Sequence, residues 1–395
     1  MSAMVNEPAA GADRVRAEID LAAVAHNVRL LRRITHPRAR LLVAVKADGY
    51  GHGAVAVART ALAHGATDLG VAHLAEGLVL RRQGISAPIL IFGHTPPQWA
   101  DQMFTNNLTP TVFSTAAARV LSAAARRTGR RLPVHVKIDT GMGRLGFMCD
   151  ALRPTGSPSA VAELLETARL PGIDLQGIFT HFATADQSDL RSAQRQLDRF
   201  LDLLDQLERA GLSVALKHAA NSGAILQMPA AHLDMVRAGI AVYGLPPSRE
   251  VVSPEIDLQP VMSLKAPVIH LKTVPAGTSI SYGGTYTTPR ATRIATIPVG
   301  YADGYRRSLS NRGHMLVRGY RAPIVGRVCM DLTMIDVGEI PEVAVGDEVV
   351  IMGRQRDQAI DAGDLADLLD TIHYEVVSAI TARVPRCYAT AVPPD

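Results

Sequence analysis

The stretch LLVAVKADGYGHG, residues 41–53, decides the architecture. Leu41–Val45 has the length and apolar character of a buried strand. It ends on Lys46, and Gly49, Gly51 and Gly53 then alternate with Tyr50 and His52 before a helical pattern over Ala54–Ala63. Ahead of it, Leu21–Ile34 reads as a helix with Asp20 as its N-cap. A strand, a Gly-rich turn and a helix make one βα unit, and the same alternation repeats downstream. Strands are expected at Leu69–Val71, Ile89–Phe92, Thr109–Phe113, Val134–Ile138, Leu175–Phe179, Val214–Leu216 and Met235–Val236. Helices are expected at Leu74–Gln83, Thr115–Arg127, Ala160–Arg169 and Leu190–Ala210. This pattern predicts an α/β fold, a (β/α)8 TIM-type barrel.

A doubly wound sheet is the structural alternative. It would place a Gly-rich dinucleotide turn after its first strand. The one G-x-G-x-x-G match, Gly141, Gly143 and Gly146, follows the fifth strand, with Pro154 and Pro158 soon after it. That context is weak support for a dinucleotide site. Beyond Pro254 helical periodicity stops until Ala362–Leu369, and short apolar stretches punctuated by Gly and Pro take over: Val261–Leu271, Ile294–Ile297, Met315–Val317, Met334–Val337 and Val349–Met352. The reading is a barrel domain at 15–254 and a mostly-β domain at 255–395, with residues 1–14 an optional addition to the second. Arg14–Ile19 is a strand candidate that the sequence leaves unassigned.

Composition narrows the function classes. The 395 residues are 47% hydrophobic and 20% charged, an ordinary globular balance, and the net charge of +4 is too small and too scattered to signal nucleic acid. Cys149, Cys329 and Cys387 form no C-x-x-C pair, which argues against a disulfide framework or a zinc site, and no metal is expected. The absence of a signal-peptide pattern and of a long apolar run points to a cytoplasmic chain that does not enter a membrane. Almost every basic residue is Arg. The only lysines are Lys46, Lys137, Lys217, Lys265 and Lys272.

In a barrel the active site forms where the βα loops converge, at the carboxyl ends of the strands. The residues there are polar: Lys46, Asp48, Tyr50 and His52 after the first strand, Lys137, Asp139 and Arg144 around the fifth, and His181 after the sixth. His218, Asn221 and Ser222 follow the seventh, and Arg237, Gly239 and Ile240 the eighth. Lys46 reads either as a surface lysine snorkelling from a strand end or as a desolvated amine suited to a carbonyl cofactor. Asn221, Ser222, Gly239 and Ile240 offer donors of the kind that hold a phosphate, or are simple caps. Arg237 either pairs with Asp234 or faces a ring nitrogen, which it would keep unprotonated because guanidinium does not give up its proton.

Together these residues resemble the alanine racemase family, a fold-type III pyridoxal-phosphate group. The resemblance rests on VKADGYGHG at 45–53, KIDTGMGRLG at 137–146, THFATAD at 180–186, HAANS at 218–222 and VRAGIAVYGL at 236–245. In the β domain it rests on SYGGTY at 281–286, PVGYADGY at 298–305, GRVCMD at 326–331 and IHYE at 372–375. It implies that Lys46 carries pyridoxal 5'-phosphate and serves as base on one face of the substrate. Tyr282, supplied by the partner in a homodimer, serves the other face. It further implies that Arg237 faces the pyridine nitrogen, that Arg144 lies near the cofactor's phenolic oxygen and the substrate carboxylate, and that His181 connects to Arg237 and Tyr282. Tyr50, Ser222, Gly239, Ile240 and Tyr374 would bind the cofactor phosphate, and Asn221 would contribute to the cofactor site. Met330, also from the partner, would limit substrate size together with Tyr301, and the pocket residues Tyr301, Cys329, Met330 and Tyr374 would favour a methyl-sized side chain. Lys137, as a carbamylated lysine, and Asp331 would support the site, and Asp186, Arg307 and Arg327 would line the access channel. The implied activity is interconversion of L-alanine and D-alanine, supplying D-alanine for peptidoglycan. The chemistry is coherent: two bases on opposite faces exchange an α-proton without turning the substrate, and a phenol, ordinarily near pKa 10, needs nearby positive charge to act at neutral pH. A racemase of serine or another small amino acid, a fold-type III decarboxylase and a non-catalytic cofactor-binding protein are the competing readings.

Overall fold

A computed structural model describes residues 14–251 and 256–389. Residues 1–13, and the sequence-drawn boundary at 254, lie outside the described residues. Strand β1 spans Arg16–Asp20. Strands β2 (Arg40–Ala44), β3 (Asp68–Val71), β4 (Ile89–Ile91), β5 (Leu108–Val112), β6 (Leu132–Asp139), β7 (Ile173–Phe179), β8 (Leu216–His218) and β9 (Met235–Ala238) are all parallel, and β9 pairs with β2 while β5 pairs with β6. Those two pairings close eight parallel strands into a barrel, as the alternation predicts. The two-residue strand Phe147–Met148 is appended to β6.

Several of the helices begin on capping residues. Helix α1 (Leu21–Ile34) follows Asp20, whose Oδ1 accepts from the Ala22 N–H at 2.8 Å. Helix α2 is Ala54–Ala63 and α3 is Leu74–Arg82. Helix α4 (Ala100–Thr105) escapes the sequence reading because six residues carry too little periodicity. Helix α5 (Thr115–Arg127) is capped by Ser114 and α6 (Ala160–Arg169) by Ser159. Helix α7 (Arg191–Arg209) buries Ala193, Gln196, Leu197, Phe200, Leu203 and Leu207, one stripe at helical spacing. Inside the barrel Leu42, Leu90 and Met235 form a packed cluster with Phe92 and Leu216 against it, a layer drawn mostly from alternate strands.

The chain packs as two compact units. Among the described residues, one comprises those of 23–49 and 54–260, and the other those of 1–22, 50–53 and 261–389. The packing therefore divides the chain differently from the single cut drawn near residue 254. Strand β1 joins the second unit because it pairs antiparallel with Met262–Pro267 and parallel with Arg386–Ala389. Segment 50–53 joins it through close backbone approach. A Cβ on Gly51 would sit 2.4 Å from the Val377 carbonyl oxygen, and one on Gly53 would sit 1.9 Å from the Tyr388 hydroxyl. These glycines thus admit other parts of the chain. Strand β1 is one of seven strands in a sheet, and the unit also holds a three-stranded sheet of 270–274, 292–297 and 333–336, a two-stranded sheet of 279–280 and 286–287, and helices Ala362–Leu369 and His373–Ser378, with Val274, Ile280, Ile294 and Val325 as a core cluster.

Candidate active site

Lys46 begins a left-handed turn. Ala47, Asp48, Gly49 and Tyr50 have φ of 51°, 51°, 61° and 53°. A left-handed conformation costs an L-residue roughly 1–2 kcal/mol, and three of the four are not glycine. Three bonds hold the turn in the barrel unit: Gly49 N–H to the Val45 carbonyl at 2.9 Å, Ala54 N–H to Asp48 Oδ1 at 2.9 Å, and Ala47 N–H to Glu76 Oε1 at 2.7 Å. The Lys46 amine is pushed below the usual lysine range by burial and by the charge of Arg144, with Glu76 opposing. That favours the desolvated-amine reading over a snorkelling lysine.

Arg144 sits on a loop organised by Asp139 at the end of β6. Asp139 Oδ1 accepts from the N–H groups of Gly141, Met142 and Gly143 at 2.9, 3.0 and 3.1 Å. Gly141, Gly143 and Gly146 all have positive φ, and a Cβ on Gly146 would lie 2.5 Å from the Asp139 nitrogen. The glycines serve this turn. The chain then enters Phe147–Met148 and a 3-10 turn at Asp150–Leu152, so the segment lacks the strand-to-helix form of a dinucleotide turn.

Behind these loops lies a buried chain of bases. The Arg237 guanidinium donates to His218 Nδ1 at 3.0 Å, to His181 Nδ1 at 3.2 Å, and to the Thr180 and Ala219 carbonyls at 2.8 and 2.9 Å. Asp234 instead accepts from the Lys217 N–H at 2.9 Å, with Lys217 Nζ 3.8 Å away, so the proposed Asp234–Arg237 pair does not form. Since Arg237 occupies Nδ1 of both histidines, their neutral rings carry the proton on Nε2. His218 Nε2 lies 3.0 Å from His135 Nδ1, which extends the chain through the barrel interior. Burial brings Arg237 down to about 9, still cationic at neutral pH. Burial first, then the charges of Arg40 and Arg237, bring His135 down to about 3. His181 and His218 are depressed well below the ordinary range, mainly by burial and then by Arg237. Lys137 is brought to about 7 by burial and Arg237, with Asp139 opposing; its Nζ donates to the Ile138 carbonyl at 3.2 Å. Gln196 clamps the His181 loop, donating to the His181 carbonyl at 3.1 Å and accepting from the Ala183 N–H at 2.9 Å.

At the last two strand ends, Asn221 Oδ1 accepts from the Ala224 N–H at 3.0 Å, a capping bond. Ser222 Oγ accepts from the N–H groups of Gly239 at 2.9 Å and Ala241 at 3.4 Å. Asn221, Ser222, Gly239 and Ile240 are thereby brought together. Asp186 lies in the loop beyond His181, its carbonyl accepting from the Ser248 hydroxyl.

In the second unit, the Tyr50 ring lies 6.3 Å from that of Tyr374, and burial pushes the Tyr50 phenol up to about 12. Tyr282 is 72% exposed and follows Ser281, whose φ is 65°. Tyr301 and Met330 are exposed as well. The Tyr301 N–H donates to the Cys329 carbonyl at 3.0 Å, which ties these two together, and Ser281 Oγ bonds the Arg327 carbonyl at 2.7 Å. Asp331 accepts from Arg383 at 2.8 Å, and Arg383 Nε also lies 3.0 Å from Asp303. Arg307 is exposed at the start of a one-turn 3-10 helix.

Comparison with known proteins decides the family. The sequence model described as Alanine racemase, N-terminal domain, matches residues 19–247, and that described as Alanine racemase, C-terminal domain, matches 261–388. This chain belongs to the alanine racemase family. An alanine racemase of Desulfosudis oleivorans is 55% identical over 373 residues, covering 94% of this chain and 96% of that protein. One of Methanococcus maripaludis is 44% identical, covering 94% and 98%. Among solved structures, the alanine racemase of Clostridium difficile 630 superposes with a TM-score of 0.90 at 39% identity, covering 95% and 96%. That of Bacillus anthracis with bound L-Ala-P gives a TM-score of 0.88 at 38% identity, covering 96% of each chain. Alanine racemases are pyridoxal-phosphate-dependent isomerases. The donor set in the barrel unit fits that cofactor. Lys46, Lys137, Arg144 and Arg237 all bear electrostatically on His181, and the carboxylates that act on these lysines are Glu76 and Asp139. Such an excess of positive charge, with Lys137 and Arg237 buried, suits an anionic occupant. No helix among the described residues is long and apolar enough to cross a membrane, and no cluster of metal-ligating side chains occurs among them.

Proposed function

We propose that this chain interconverts L-alanine and D-alanine with pyridoxal phosphate, using Lys46 and Tyr282 as the two proton-transfer groups. The observation that carries the reading is the Lys46 amine, fixed on a strained turn and shifted toward its neutral form by burial and Arg144. When bound, the cofactor delocalises the electron pair left behind as the α-proton departs. Lys46 would hold it covalently, Arg237 would face its ring nitrogen as a cation at neutral pH, Ser222, Gly239, Ile240, Tyr50 and Tyr374 would bind its phosphate, and Asn221 would contribute to the cofactor site. Arg144 would hold the substrate carboxylate. Lys46 would take or return the α-proton on one face, and Tyr282 on the other.

The 72% exposure of Tyr282 supports a role in a homodimer, where this phenol would complete the partner's site. His181, with its proton on Nε2, could then donate toward that phenol while Arg237 fixes its tautomer. Tyr301, Cys329 and Met330 would restrict the side chain to about a methyl group, and Asp186, Arg307 and Arg327 would line the access channel. Lys137 and Asp331 would support the site. D-alanine made by a cytoplasmic enzyme of this kind would feed peptidoglycan.

Incubation of the loaded protein with L-alanine, L-serine and L-lysine separates the readings. D-alanine should form fastest and carbon dioxide should not be released. Faster D-serine formation would transfer the reading to serine, and carbon dioxide from lysine would establish a decarboxylase.

A further inference from the structure

The turn that carries Lys46 is held from a neighbouring βα unit. Strands β2 and β3 are adjacent and parallel, and Glu76 lies in the first turn of α3, which follows β3. Its carboxylate is divided between two elements. Oε1 accepts from the Ala47 N–H at 2.7 Å, while Oε2 accepts from the Ala72 N–H at 2.7 Å and the His73 N–H at 3.2 Å. A helix-capping role would need only the His73 bond, the longest of the three. The other two tie the end of β3 to the residue that follows Lys46, at the start of four consecutive left-handed residues.

We propose that Glu76 is a positioning residue for Lys46, fixing the backbone of the lysine turn and placing a carboxylate within electrostatic range of the amine. The inference rests on Lys46 being a proton-transfer group in alanine racemisation. Among the charged groups that bear on the amine are Arg144, from the loop after β6, and Glu76; His181 also lies within electrostatic range. Glu76 opposes the downward effect of burial and Arg144, so its removal should shift Lys46 further toward the neutral form.

The test is the pH dependence of Lys46 acetylation by acetic anhydride in the full-length chain freed of cofactor, read by peptide mass spectrometry. This readout does not require alanine to turn over, so a failed racemase reading leaves it intact. In Glu76→Gln the midpoint for Lys46 should move to lower pH. Glu76→Asp, with its carboxylate withdrawn by one methylene, should fall between Glu76→Gln and wild type. In the loaded enzyme, Glu76→Gln should lower kcat by about 10–100-fold, the scale expected when a reacting group is misplaced. A Lys46 midpoint equal to wild type in every variant that folds would overturn the proposal, even if thermal stability fell, because lost capping alone explains that result.

Discussion

Asp139 offers a quantitative probe of how the site is held. Its Oδ1 receives three backbone N–H groups at 2.9, 3.0 and 3.1 Å, and the loop so formed carries Arg144. Hydrogen bonds to a charged group contribute about 1.5–3 kcal/mol each when desolvated. Gly141 and Gly143 are exposed, so water would recover part of the loss, and Asp139→Ala should cost about 2–4 kcal/mol in total. Asp139→Asn keeps an acceptor oxygen and loses only the charge, which should cost about 1 kcal/mol. The two variants share a second effect. The Asp139 carboxylate supports protonation of Lys137, whose amine stands at about 7, and either substitution should send it lower. Urea unfolding gives the stabilities, and steady-state kinetics with L-alanine gives the functional loss. Asp139→Ala should reduce kcat/KM by about 100-fold, with Asp139→Asn much closer to wild type. Equal losses in the two variants would refute the claim that the accepting oxygen organises the loop.

Acid should destabilise the barrel unit through its histidines. Folded His135 stands at about 3, and His181 and His218 are also depressed, against an unfolded value near 6.5. Between those values the unfolded chain binds more protons. Stability is therefore full above about pH 6.5 and lost on acidification, by about 1.4 kcal/mol per pH unit for each histidine. Urea midpoints that rose from pH 7 to pH 5 would contradict this. The Lys137 amine, near 7, should be largely neutral at pH 8 and able to add carbon dioxide. Native mass spectrometry in bicarbonate should detect one carbamate that Lys137→Arg abolishes; an unmodified wild-type chain would refute it.

The fold was legible because its signals are local. Helices α1, α2, α5 and α6 match their expected limits, since the apolar period is clear there and α1, α5 and α6 also start on capping residues. Short elements were not: α4 and His373–Ser378 have six residues each, below what periodicity can distinguish. The residues at the strand ends were also legible, because charged side chains after apolar runs stand out. Glu76 and Gln196 were not, because each is a single polar residue within a helix, where such a residue is most often simply solvated. His135 is masked by the apolar run around it. Its spacing of two from Lys137 places both on one face of β6, and that was the available signal. The G-x-G-x-x-G match misleads for a physical reason: an aspartate-capped loop and a dinucleotide turn both need glycine at positive φ.

Hydrogen exchange at the alanine α-carbon tests the two-base assignment most directly. Loaded Tyr282→Phe protein would be placed in deuterated water with each enantiomer separately, and the loss of α-protium followed by NMR. With Lys46 intact and the phenol gone, exchange from D-alanine should persist while exchange from L-alanine falls by at least about 100-fold, the scale of a lost general base. Equal rates for the two enantiomers would contradict the assignment of one face to Lys46 and the other to Tyr282.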